Sequence, residues 1–212
     1  MKKTALLLGA GLIVLASCKV GNPEGEKATT TDSVEATAQA EGTELTVSPE
    51  ASKIDWTGRK VTGTHYGDVT IKSGSLWVKD GKITGGNFVA DLTTINTLDM
   101  EGEYKGKLDG HLKSEDFFDV ENHPEATFEI TNVSDAAEEG KITVSGNLTM
   151  RGVTKNITFD ATVSEISETS VSASADFNIA REDWGVSYPG QADDLISKEF
   201  NLKINLVAGA YL

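Results

Sequence analysis

From Lys53 onward the chain alternates apolar and polar side chains with period two, the mark of strands that have one dry and one wet face. The clearest runs come late. Ile142, Val144, Gly146 and Leu148 alternate with Thr143, Ser145, Asn147 and Thr149, and Ile157, Phe159, Ala161 and Val163 alternate with Thr158, Asp160, Thr162 and Ser164. Val171, Ala173, Ala175, Phe177 and Ile179 form the next dry face, followed by Phe200, Leu202, Ile204 and Leu206. Noisier strands precede them in "SKIDWTG", "DVTIKSGSLWV", "ITGGNFVADL" and "ATFEITNV". In "DVTIKSGSLWV" the apolar phase flips near Gly74, as a bulge requires. The stretch from Thr93 to Pro124 lacks alternation, which predicts a long connection with a short helix.

Eight antiparallel strands joined by short turns such as Lys79-Asp80-Gly81-Lys82 and Glu138-Glu139-Gly140-Lys141 predict an all-β fold, a single sheet closed into a barrel. A barrel of that strand number either fills with side chains or holds one small molecule. Gly146, Ala161, Ala173 and Ala175 on the dry faces leave room for a cavity, but a tapering filled barrel also calls for small residues. The pattern leaves both interiors open.

The first half-century of residues differs. Lys2 and Lys3, the apolar run Ala5 to Leu15 and the small Ala16 and Ser17 form a secretory signal, residues 1–17, too short for a membrane span. Leu15-Ala16-Ser17-Cys18 resembles the lipobox of bacterial lipoproteins, which implies that Cys18, the sole cysteine, becomes the acylated N-terminus and a lipid anchor. Residues 18–50 then carry Thr, Ala, Glu and Gly with almost no large apolar residue, the composition of a disordered acidic tether, and residues 51–212 form the folded domain. Asp32-Ser33-Val34 in the tether is similar to a bacterial O-glycosylation sequon. Of the net charge of -14, the domain holds -11, so nucleic acid is excluded as a partner and an anionic membrane would repel it except through Cys18.

Three segments carry a resemblance to a known family. "GHLKSEDFFDVENHPEATFEITNV", "VSGNLTMRGVTKNITFDATV" and "ASADFNIAREDWGV" resemble successive signatures of the YceI-like family, over a match from about Thr46 to Ala208. The resemblance implies a lipocalin-like barrel with a helix beside it, whose apolar channel holds a polyisoprenoid or an isoprenoid quinone. The channel wall is then expected from Phe128, Ile130, Leu148, Phe159, Ala161, Ala173, Ala175, Phe177, Phe200 and Leu202, with Phe117 and Phe118 either divided, one ring packed on the barrel and the other over its opening, or both partly buried in helix packing. Relatives carry an Arg-Asp pair before "HLKS" where this chain has Lys107-Leu108-Asp109-Gly110.

Catalytic patterns are missing. His65, His111 and His123 lack metal-ligand spacing and no nucleophile elbow occurs; His65 is expected in a loop, His111 and His123 as cap or surface residues, and Glu115-Asp116 and Asp193-Asp194 as solvated acids. Asn147 and Asn156, which head sequons of the eukaryotic type, are expected on the strand surface. Arg59, Lys60, Arg151, Lys155 and Arg181 are scattered along the chain, which favours a neutral quinone-like head group over a diphosphate. No cofactor or metal is expected. The combined expectation is a non-enzymatic envelope lipoprotein in the periplasm or at the cell surface, the outer membrane favoured, that carries or sequesters an isoprenoid. An interaction module with a filled core and an enzyme acting on a lipid head group are the alternatives, and a homodimer is left open.

Overall fold

Two tight reversals fix the register of the longest strands. At Asp80 and Gly81 (φ 52° and 71°), and again at Arg151 and Gly152 (φ 53° and 72°), both central residues are left-handed, the geometry whose twist matches flanking antiparallel strands. They set Lys79 opposite Lys82 and Met150 opposite Val153. The computed structural model describes residues 20–36 and 40–209. The signal segment and Cys18 lie outside them.

In chain order the elements are β1 (Glu26–Lys27), β2 (Thr29–Asp32), β3 (Thr43–Thr46), β4 (Lys53–Lys60), β5 (Gly63–Lys79), β6 (Lys82–Thr97), α1 (Gly102–Lys113), β7 (Glu125–Asp135), β8 (Lys141–Met150), β9 (Val153–Ile166), β10 (Ser170–Ala180), a 3-10 turn (Arg181–Trp184), β11 (Gly190–Gln191) and β12 (Asp194–Gly209). Antiparallel pairing runs from β4 through β5, β6, β7, β8, β9, β10 and β12 and returns to β4, closing the eight-stranded barrel. Each period-two run lies within one of these strands, and the bulge foreseen near Gly74 occurs between Ile71 and Ser73. The strands outrun the pattern: β6 continues to Thr97 because its last turn is paired and capped by polar groups that carry no dry-face signal.

Helix α1 is held against β6 by polar contacts. Asp109 accepts the Thr97 amide at 2.9 Å and the Lys105 ammonium at 2.8 Å, and Lys105 also reaches Asn96 Oδ1 at 2.7 Å. Leu112 is its one buried side chain. Past β10, the 3-10 turn drives Trp184 and Val186, both fully buried, into the core, and Trp184 Nε1 donates to the Leu148 carbonyl at 3.1 Å. The "AREDWGV" signature is thus a plug at one end of the barrel.

The tether expectation is overturned for the residues described. β1 pairs parallel with β10, β2 antiparallel with β9, and β3 antiparallel with β5. Leu45 and Val47 are 5% and 2% exposed, so the folded domain begins well before residue 51. Composition misled because this segment is held mostly by backbone pairing and by polar side chains of the barrel's outer face, to which a count of apolar residues is blind. Gly146 also departs from expectation: it opens no space, because Phe128 occupies it. A Cβ there would strike the Phe128 ring, so Gly146→Ala should destabilise the protein by about 1–3 kcal/mol in urea unfolding. An unchanged unfolding midpoint would show that Phe128 turns aside freely.

Candidate functional site

The barrel encloses a cavity of about 500 Å³, within the range of small-molecule sites. Its wall is overwhelmingly apolar, and all twelve side chains named from the sequence line it: Phe128, Ile130, Leu148, Phe159, Ala161, Ala173, Ala175, Phe177, Phe200, Leu202, Phe117 and Phe118. Alternation explains why. Inward positions of neighbouring strands come into line when the ladder is in register, and Ala173 lies opposite Leu206 on one side and Val163 on the other.

Aromatic rings form two groups around this space. Midway along the barrel Phe88, Phe128, Phe159 and Phe177 make a belt across β6, β7, β9 and β10, with successive centroids 6.3, 5.8 and 4.1 Å apart. At the α1 end, Phe117 and Phe118 meet edge-on at 5.3 Å, Phe118 reaches Phe200 at 6.1 Å, and His111 packs between Phe117 (5.5 Å) and Tyr188 (4.7 Å). Both phenylalanines of the pair therefore face the cavity, in place of one packing and one covering, because the turn after α1 carries the chain across the barrel end.

Polar groups gather at that same end. Arg59, Lys60, His65, His111, Arg181, Asp194 and Glu199 all border the cavity. Lys60 is neutralised by Asp194 at 2.7 Å, and Asp194 also accepts the Thr62 amide and hydroxyl. Arg181, 2% exposed, donates from Nε to the Ser197 carbonyl (2.9 Å) and from Nη1 to the Val186 carbonyl (2.8 Å); burial lowers its pKa, partly offset by Glu182. Of the five basic residues noted in the sequence, Arg59, Lys60 and Arg181 thus converge on the rim. Arg151 instead bridges the Gly185 and Glu115 carbonyls, and Lys155 pairs with Asp32.

The histidines and acids depart from the sequence expectations. His65 lies in β5, not in a loop, with Nδ1 2.7 Å from Asp99 Oδ2. His111 lines the cavity and is no surface cap. The spacing of Leu108, His111 and Leu112 on one helix face could have placed it there. His123 lies 3.9 Å from Asp119 in the turn before β7, and Asp194 is engaged rather than solvated. Among the described residues no group of three His, Cys, Asp or Glu side chains is placed to hold a metal ion.

Two carboxylates fasten the α1 end. Burial pushes Asp99 up, but the Tyr66 amide and the His65 ring outweigh it and leave the carboxyl below its ordinary value. Asp109 behaves alike: burial raises it, and Lys105 with the Thr97 amide brings it lower. Groups depressed in the folded state stabilise it above the unfolded pKa, about 3.9 for Asp, and lose that contribution as pH falls through the folded value. The melting temperature should therefore drop below about pH 4, and Asp109→Asn should both lower it at neutral pH and flatten the drop. A parallel acid drop in Asp109→Asn and the parent, followed by circular dichroism, would assign the effect elsewhere.

Comparison with known proteins completes the site. A UPF0312 protein of Vibrio parahaemolyticus is 39% identical over 84 residues, 40% of this chain and 39% of that protein. Protein YceI of Escherichia coli O157:H7 is 31% identical over 115 residues, 53% of this chain and 52% of that protein. The chain thus spans about half or less of the length of these curated relatives. Among solved structures, BcnA of Burkholderia cenocepacia superposes with a TM-score of 0.64 at 19% identity, covering 76% of this chain and 99% of BcnA. A polyisoprenoid binding domain from Saccharophagus degradans, implicated in plant cell wall breakdown, superposes at 0.58 and 17% identity, covering 81% of this chain and all of that domain. These likenesses concern the fold. The profile of the YceI-like domain matches residues 45–208, and the chain belongs to that family.

Proposed function

We propose that the protein binds a long-chain isoprenoid lipid in the barrel cavity, with the chain along the two aromatic belts and the head group at the rim beside α1. The observation that carries this is the division of the cavity into an apolar length and one polar end, the shape of an apolar chain with a single head. Family membership and the polyisoprenoid binding of the Saccharophagus degradans domain support it. Two of the three basic rim residues are engaged, Lys60 with Asp194 and Arg181 with two carbonyls, which leaves Arg59 alone to meet a charged head and supports a neutral, quinone-like head over a diphosphate. The same inventory supports a binding role rather than catalysis.

The signal segment and lipobox support a location in a bacterial envelope, with the outer membrane favoured and Cys18 as the acylated anchor. An isoprenoid carrier has reason to be held there, since its ligand enters and leaves through a bilayer.

An organic extract of the purified protein, analysed by mass spectrometry, should contain close to one isoprenoid per barrel. An empty extract would sink the proposal. Ala173→Trp should lower that content, because a large ring would fill cavity space, while the delipidated variant keeps most of its parent's stability. In a packed interior the same ring would cost about 1–3 kcal/mol, so a large fall in melting temperature after delipidation would count against a cavity at this position.

A further inference from the structure

The barrel wall has a seam. Pairing between β9 and β10 runs from Val171–Ile166 to Ala175–Ala161 and then stops. Beyond it the two strands diverge, and residues 26–32 fill the gap: Glu26 and Lys27 pair with Phe177 and Asn178 of β10, the Ala28 amide donates to the Asn178 carbonyl at 2.9 Å, and Thr29 to Asp32 pair with Thr158 to Lys155 of β9. This strap lies outside the residues matched by the family, 45–208.

The outer face is built to receive it. Asn178, 2% exposed, donates to the Pro23 and Gly25 carbonyls at 3.0 and 3.2 Å, and Ser197 donates to Asn22 at 2.9 Å. On the other side Asn147 clamps the Val34 amide and carbonyl at 3.2 and 2.7 Å, and Lys155 meets Asp32 at 2.9 Å. Yet the grip is almost wholly polar. Ala28 is the strap's only buried side chain, Pro23 the only other among residues 20–36, and Thr30 Oγ1 is buried without a hydrogen-bond partner. Water can replace polar bonds of this kind, so a segment with so little apolar burial detaches more readily than the continuous ladder around it.

Behind the strap lie Ile157, Phe159, Phe177 and Ile179, all on the cavity wall, with Phe159 and Phe177 stacked across the seam at 4.1 Å. The length of β9 behind the strap that has no partner on β10, residues 155–159, spans roughly 13 Å. We infer that the strap is a lateral gate: its release, with parting of the Phe159–Phe177 stack, opens a slot through which an apolar chain enters the cavity sideways. The inference rests on the isoprenoid-binding reading above. Sideways entry spares a long chain the exposure that end-on threading past the rings of His111, Phe117, Phe118 and Tyr188 would demand, and that exposure costs free energy in proportion to its area. The strap begins eight residues after Cys18, so a protein anchored there would present the slot to the bilayer.

A staple tests it. In a delipidated Cys18→Ser chain, which has no other thiol, Thr29→Cys and Thr158→Cys place cysteines at partnered positions of strap and β9. A control pair, Thr143→Cys and Asp160→Cys, staples β8 to β9 within the continuous ladder. Uptake of a long-chain menaquinone from phosphatidylcholine vesicles is followed by quenching of tryptophan fluorescence, Trp56 being on the cavity wall. Oxidation of the strap pair should slow uptake by about tenfold or more without changing its final extent, while the reduced form and the oxidised control keep the parent rate. Equal rates for the oxidised and reduced strap pair would overturn the gate and leave the cavity reading standing. Equal slowing by the control staple would also overturn it, by assigning the effect to barrel rigidity. No quenching in any form, the parent included, would overturn the cavity reading and the gate with it.

Discussion

A sheet curled into a barrel must pair every strand with a neighbour on each side, and here one of those pairings, between β9 and β10, is incomplete. Hydrogen bonding across the junction ends at the Ala175–Ala161 pair, leaving backbone groups of both strands to find partners elsewhere. Two consequences follow. The strap supplies those partners from outside, and the Phe159–Phe177 stack closes the inner surface where the ladder has ended. Continued pairing past Ala175 would have left no place for residues 26–32.

The same junction explains polar residues that otherwise look misplaced. Asn178 and Asn201 lie on outward positions of β10 and β12 yet are 2% and 7% exposed, and Asn156 on β9 is 6% exposed. Burying an amide without a partner is costly, so each is bonded: Asn201 Nδ2 reaches Asp176 at 2.7 Å and Asn178 Oδ1 at 3.1 Å, and Asn156 Nδ2 reaches Thr131 at 2.9 Å. They make a polar belt on the outer face, while the inner face of the same strands stays apolar. A barrel strand can meet two opposite demands because its side chains alternate.

That alternation is also why the barrel and the cavity wall were visible in the sequence. Each long strand writes its dry face as every second residue, and for positions such as Ala173 and Phe159 dry face and cavity wall coincide. The strap writes no such pattern. Its one core contact is Ala28, and its partners Asn178 and Asn147 stand more than a hundred residues away, so only the folded chain brings them together. Asn156, expected on the surface, is likewise buried by a side-chain bond to Thr131, a contact between strands that composition does not encode. The rim was half visible: the residue types were apparent, but the pairing of Lys60 with Asp194 depends on how β4 and β12 meet.

The division of labour between the two ends of the barrel follows from what closes each. At the far end Leu45, Val47, Leu76, Val78, Val171 and Ala208 form a dry cluster, reinforced by the bridge between Val47 and Ala208. The cluster holds apolar side chains alone among the described residues, and burying a head group against it without a partner would be penalised. At the α1 end the closure is made by rings and by Arg181, whose guanidinium fastens Ser197 to Val186 while it borders the cavity. On the proposed function, a molecule with one polar terminus would be oriented by the wall itself, its apolar length along the apolar interior and its polar terminus at the rim.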